Sequence, residues 1–203
     1  KKIGGTGDEQ SMSVALDNNG NVFSIGYFYG TVDFDPGAGV NNVTAIGGLD
    51  IYLLKLDAAG NFIWVKHFGG TSSNFPSSLK RDASGNLYIT GNFNGTSDFD
   101  PGAAAYNLTS NGNADIFVLK LDSTGAFKWA RKLGGTSDES SKDIFVDQQG
   151  NVYTTGIFMG TADFEPGLGL FNLTAVGSND VFISKLDSSG IFVWAKSFGN
   201  ANY

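Results

Sequence analysis

The chain has 203 residues, a formal net charge of −7 and no cysteine, which excludes disulfides and thiolate metal sites and leaves no basic face for nucleic-acid phosphates. Charged residues make up 16% of it, glycine contributes 29 positions and the aromatics are 17 Phe, 7 Tyr and 3 Trp. That mixture fits short strands joined by tight turns and excludes a helical bundle or a disordered tail. No apolar run approaches the length of a membrane-spanning helix, and no basic amphipathic stretch points to a membrane surface.

In chain order, residues 1–5 (KKIGG) match residues 66–70 (KHFGG), so the chain reads as an excerpt opening just after a Trp-bearing strand. Residues 13–16 (SVAL) predict a first strand, and residues 17–20 (DNNG) a turn. In such a turn the Asp accepts backbone N–H groups and the Gly takes positive φ. Residues 22–28 (VFSIGYF) predict the second strand, followed by a long excursion over 30–48. Residues 51–56 (IYLLKL) predict the third strand, 57–60 (DAAG) another turn and 62–68 (FIWVKHF) the fourth strand, with Gly69-Gly70-Thr71 as the link onward. No segment sustains a 3.6-residue apolar period, so the fold class is all-β.

The pattern then recurs. Residues 17–37, 82–102 and 147–167 are copies 65 residues apart, and Trp64, Trp129 and Trp194 keep the same step. The units run 4–68, 69–133 and 134–198, with partial repeats at 1–3 and 199–203. Strand alternation puts Phe62 with Trp64 on one face and Ile63 with Val65 on the other, while Tyr52 and Leu54 oppose Ile51 and Leu53. A sheet apolar on both sides must be covered on both sides. The expectation is three tandem four-stranded antiparallel blades of a β-propeller, longer than the usual repeat of about 40–50 residues because of the excursion. Three blades do not close a ring, so further blades of a parent chain or a second copy are expected to complete it.

The patterns DxxGNxYxTGxFxGTxDFDPG, DIFxxKLDxxG and WAKxFGG, carried in the second unit by Asp82, Gly85, Asn86, Tyr88, Thr90, Gly91, Phe93, Gly95, Thr96, Asp98, Phe99, Asp115, Lys120, Asp122, Gly125 and Trp129, resemble the bacterial β-propeller repeat labelled SBBP. The resemblance spans essentially the whole chain. It implies a large bacterial surface or secreted protein, extracellular or cell-surface in location, and specifies no activity.

Alternate connections of a meander emerge on the same side. The short turns therefore share one face, and the excursions with the Gly-Gly-Thr links share the other, where a binding function is expected. Four features on that face bear on function. The pairs Asp33/Asp35, Asp98/Asp100 and Asp163/Glu165 read as caps of Asp-Pro-Gly type II turns, with a Ca²⁺ site as the alternative. Asp8-Glu9 and Asp138-Glu139, replaced by Ser73-Asn74 in the middle unit, read as solvated loop. Asn42, Asn107 and Asn172, and likewise Asn94, open N-x-Thr sequences that fit either a glycan acceptor or β-prone turn residues. Phe34, Phe99 and Phe164 read as plugs beneath their loops, whereas Tyr106 and Phe171 are the better candidates for exposed rings that stack on sugars.

Lys55, Lys120 and Lys185 interrupt the apolar third strand, so each is expected to snorkel or to meet a carboxylate, with Asp50, Asp57 and their equivalents as possible partners. Fifteen of the 20 acidic residues fall in the five columns headed by Asp17, Asp33, Asp35, Asp50 and Asp57, so the negative charge is spread over turns and strand ends. Catalysis has little to work with: the single histidine, His67, stands where the other units have Lys132 and Ser197, and no nucleophile elbow or phosphate loop is present. The sequence therefore points to a non-enzymatic scaffold for adhesion or display, with no obligatory cofactor. The alternative is a lectin-like or Ca²⁺-assisted propeller binding through the long-loop face.

Overall fold

The computed structural model describes residues 2–201. Among them there is no helix; the chain is all-β and every strand pairing is antiparallel. The first unit holds β1 (Gly4–Gly5), β2 (Glu9–Leu16), β3 (Val22–Phe28), β4 (Thr31–Asp33), β5 (Asn42–Thr44), β6 (Asp50–Leu56) and β7 (Phe62–Gly70). The second holds β8 (Asn74–Arg81), β9 (Leu87–Asp98), β10 (Asn107–Leu121) and β11 (Phe127–Gly135). The third holds β12 (Glu139–Val146), β13 (Val152–Phe158), β14 (Thr161–Asp163), β15 (Asn172–Thr174), β16 (Asp180–Leu186) and β17 (Phe192–Phe198). Strands β2, β3, β6 and β7 pair in sequence order, as do β8 to β11 and β12, β13, β16 and β17.

The short turns form as the sequence dictates. Asp17 Oδ1 accepts the N–H groups of Asn19 and Asn21, both at 2.9 Å, and Oδ2 accepts the Asn21 side chain at 2.8 Å. Gly20 closes the turn at φ +78°, a conformation that costs a residue with a Cβ. The same arrangement recurs at Asp82 and Asp147.

The excursion is not an open loop. It folds into a hairpin, β4 with β5, whose threonines meet across the strands (Thr31 with Thr44 at 2.8 Å, repeated at Thr96 with Thr109 and Thr161 with Thr174). The hairpin then captures the two glycines that open its unit: Gly4 and Gly5 pair with Asp33 and Val32, Gly69 and Gly70 with Asp98 and Ser97, and Gly134 and Gly135 with Asp163 and Ala162. The Gly-Gly-Thr link expected between units is thus the end of a strand bonded to the next unit. Glycine is required there because a Cβ on Gly70 would lie 2.1 Å from the Thr96 carbonyl oxygen.

Packing follows the two apolar faces, with one correction. The register shifts between Lys55 and Leu56, setting Trp64 opposite Lys55 but Phe62 opposite Leu56. This bulge rotates Phe62 onto the face opposite Trp64 and leaves Ile63 exposed, against the strict alternation expected. The unit-one face carrying Phe23, Ile25, Leu53 and Phe68 packs on the unit-two face carrying Leu79, Ile89, Phe93 and Phe117. The other face of unit two, with Tyr88, Ile116, Val118 and Leu133, packs on Ile144, Val152, Phe158 and Phe182 of unit three. Along one edge the first strands lie side by side, with β8 against β2 and β12 against β8. Ser13 Oγ accepts the Leu79 N–H at 3.2 Å there, and Ser78 Oγ donates to Asp143 at 2.6 Å.

Candidate functional site

The Asp-Pro-Gly pairs are built into their own loops. Asp33 Oδ1 accepts the N–H groups of Asn41 (2.8 Å) and Asp35 (3.0 Å), and Asp35 Oδ1 accepts that of Gly37 (2.7 Å). The same three bonds recur at Asp98 with Asp100 and at Asp163 with Glu165. The bonds from Asn41 and Asp35 hold the Asp33 carboxyl below the usual range. Gly37, Gly102 and Gly167 do not take positive φ, so the expected type II bend is replaced by a turn that the carboxylate closes from its own side chain. Among the described residues, no group of three or more His, Asp or Glu side chains gathers where it could hold a metal ion.

The aromatic candidates separate. Phe34, Phe99 and Phe164 are fully buried and cannot present a ring to a ligand. Each sits edge-on to a second-strand Phe and tilted against a third-strand ring, at 4.8 Å for Phe99 with Phe117. Tyr106 and Phe171 lie nearer the surface, each on a fourth-strand ring at 4.8 Å (Phe127 and Phe192).

Tyr106 also borders a groove of about 270 Å³ between units two and three, lined by Leu108, Arg131, Lys132, Asp163 and Glu165 among others. One repeat earlier an equivalent groove of about 340 Å³ is lined by Ile46, Lys66, His67, Asp98 and Asp100. The cations of the groove beside Tyr106 are engaged. Arg131 donates to the Gly190 and Ser189 carbonyls (2.8 and 3.1 Å), and Lys132 to Thr109 O and Asn111 Oδ1 (2.8 and 2.6 Å). A wider cleft of about 580 Å³ opens on the short-turn side, between the Asp82 and Asp147 turns.

The third-strand lysines do not use the partners expected. Lys55 lies over the Phe23 ring at 4.8 Å and 3.8 Å from Asp17, and Lys120 and Lys185 lie over Tyr88 and Tyr153 at 5.0 and 5.1 Å. Each ammonium shares its face with the aromatic of the strand beside it, and Lys120 Nζ also donates to the Ser188 carbonyl at 3.1 Å.

Asp50 and Asp115 are instead fully buried at the junctions. One oxygen of each accepts an N–H from the preceding excursion (Ile46 at 2.7 Å, Asn111 at 3.0 Å). Asp50 meets His67 Nε2 at 2.6 Å and Asp115 meets Lys132 at 3.7 Å, while Oδ1 of both carboxylates has no protein partner. Beside Asp115 lies Glu139, 1% exposed, whose Oε2 accepts the Gly135 N–H at 2.9 Å and whose Oε1 has no protein partner. Burial, reinforced by Asp115 and Asp138 nearby and opposed by the Gly135 bond, pushes the Glu139 carboxyl up to about 7. Burial also raises Asp115, against the Asn111 bond and the Lys132 charge.

The expectation of a solvated Asp138-Glu139 link therefore fails for Glu139. The signal was available: Asn74 fills the same column in unit two and is also fully buried, its Oδ1 accepting Ser97 Oγ at 2.6 Å. A Glu-to-Asn exchange in one column marks a hydrogen-bonding position between units rather than a solvated one.

No family model matches the chain. Its sequence is similar to that of an uncharacterized WD repeat-containing protein, L264, of Acanthamoeba polyphaga mimivirus, 27% identical over 230 aligned positions that cover 98% of this chain and 16% of that protein. It is also similar to regulatory protein FlaEY of Caulobacter vibrioides, 26% identical over 117 positions covering 58% of this chain and 12% of that protein. The chain thus spans under a fifth of the length of either relative. Its similarity runs, over nearly its whole length, to a repeat protein of β-propeller type.

Proposed function

We infer that the chain is a non-catalytic segment of a β-propeller: three four-stranded blades serving as scaffold in a large extracellular or cell-surface bacterial protein of the SBBP repeat type, used for adhesion or display. The observation that carries this reading is that the repeated polar columns are consumed by architecture. The Asp17 and Asp33 columns bind turn and loop backbone, the Asp50 column lies buried between units, and the third-strand lysines lie over aromatic rings. The likeness to a WD repeat-containing protein supports the propeller, and the motif columns support the SBBP type and its surface location.

A second reading, a carbohydrate-binding propeller, is favoured by the Tyr106 ring at the edge of the groove between units two and three. A glycan array with and without chelator, run beside a panel of chromogenic glycosides, separates the two. The scaffold reading expects no saturable binding and no turnover above background. Saturable binding lost in Tyr106→Ala overturns it in favour of the lectin, and loss on chelation brings in the Asp98/Asp100 pair.

A further inference from the structure

Unit two sets an amine against a carboxamide beside a buried acid. Lys132 Nζ, on β11, donates to Asn111 Oδ1 at 2.6 Å and to the Thr109 carbonyl at 2.8 Å. Both residues stand in columns that every unit fills, yet neither residue type recurs there. Unit one has Ile46 and His67 in these places, and unit three has Val176 and Ser197. The third member of the group does recur. Asp115, the counterpart of Asp50 and Asp180, is fully buried, and its Oδ2 lies 3.7 Å from Lys132 Nζ while accepting the Asn111 N–H at 3.0 Å. Among the described residues its Oδ1 has no partner.

We propose that Lys132 and Asn111 join in an intramolecular isopeptide bond, with Asp115 carrying the protons. The carbon to be attacked is one carbonyl bond beyond Asn111 Oδ1, so it lies within about 3.8 Å of Nζ, close to the roughly 3–3.5 Å of a reactive approach. A turn of the exposed Asn111 side chain brings the face of its carbonyl to the amine. The Lys132 side chain is 25% exposed, and Asp115 is a base held out of water beside it. Burial raises the Asp115 carboxyl, against the Asn111 bond and the Lys132 charge, which makes it a better proton acceptor.

The step balances without any outside reagent. Asp115 Oδ2 takes one proton from the Lys132 ammonium, and the freed lone pair attacks Asn111 Cγ, pushing the carbonyl pair onto Oδ1. Asp115 returns that proton to Nδ2 as the Cγ–Nδ2 bond breaks and the carbonyl re-forms. The surplus proton on Nζ passes through the carboxylate to the departing ammonia, leaving one Lys–Asn amide and one ammonium ion. The bond ties the excursion of unit two to its fourth strand, beside the junction with unit three. It forms once per chain and consumes no other substrate, so it stands apart from the scaffold reading.

The test is the intact mass of the purified full chain, followed by a tryptic map. The expected mass is that of the sequence less one molecule of ammonia. The map should hold a branched peptide in which residues 82–120 are joined to residues 132–142, with no cleavage after Lys132. Asn111→Val and Lys132→Ser, each a residue that unit three carries in the same column, should restore the full mass. Asp115→Asn keeps the shape of the side chain and should slow closure about a hundredfold or more. A chain of full mass overturns the bond. Loss of ammonia without the branched peptide, as a succinimide at Asn111-Gly112 would give, overturns it as well. An Asp115→Asn chain that closes as fast as the unaltered one overturns the part given to the acid, while the mass of the unaltered chain decides the bond itself.

Discussion

Phe117→Ala is expected to destabilise the chain by about 3–5 kcal/mol, the usual cost of deleting a fully buried phenyl ring. Phe117 is completely buried on the unit-two face that meets unit one, 4.8 Å from Phe99 and in the same cluster as Phe23, Ile25 and Leu53. The surroundings cannot collapse onto the hole. Thr90 Oγ1 donates to the Phe117 carbonyl at 2.9 Å, and Gly91 lies so close that a Cβ there would come within 2.2 Å of the Phe75 carbonyl oxygen and 2.6 Å of the Phe117 ring. For a chain of this size the loss corresponds to a melting temperature lower by about 10 °C. Leu168→Ala, at a fully exposed position, is the control and should change stability by less than about 0.5 kcal/mol.

Glu139→Gln is expected to stabilise the chain at alkaline pH and leave it nearly unchanged in acid. The Glu139 carboxyl titrates near 7 in the folded chain, against an ordinary value of 4.5, because it is buried beside Asp115 and Asp138. A raised acid holds its proton more tightly when folded. The native stability is therefore fully present below about pH 4.5, falls as pH rises toward 7 and stays reduced above that. The shift corresponds to an ionisation penalty on the order of 3 kcal/mol. Glutamine keeps the shape, can still accept the Gly135 N–H, and brings an amide that can donate to the open Oδ1 of Asp115. Lys132, on the adjoining strand, stays paired with Asp115 in both forms. Chemical denaturation of both proteins at pH 5 and pH 8 should show a gap that widens with pH. A gap independent of pH, or a variant weaker at pH 8, contradicts this account of the junction.

Much of this arrangement was legible in the sequence. The all-β class, the 65-residue step and the Asp-x-x-Gly turns follow from residue types whose local chemistry leaves few choices: Asp17 binds its turn backbone and Gly20 supplies positive φ. The burial of Phe34, Phe99 and Phe164 follows from a ring in the same column of every copy. What escaped depends on contacts between units. Glycine pairs such as Gly69-Gly70 look like a flexible link in one dimension, and only the approach of the next hairpin makes them a strand. The bulge at Leu56 moved Phe62 to the other face because alternation counts residues and cannot register an inserted one. Glu139 reads as solvated in the sequence because the middle unit replaces its acidic pair with Ser73-Asn74, whereas in the fold it is buried beside Asp115, 24 positions earlier in the chain.

The claim beneath all of this is that a 65-residue unit is stable through its neighbours, since its own strands form a single layer with apolar side chains front and back. Thermal unfolding of residues 69–133 alone, followed by circular dichroism beside the whole chain, tests it most directly. In the whole chain that unit is covered on both faces, and in isolation it loses both covers at once. The expected result is no cooperative transition for the isolated unit and a sharp one for the full chain. A single unit that melts cooperatively at the temperature of the full chain would contradict the account.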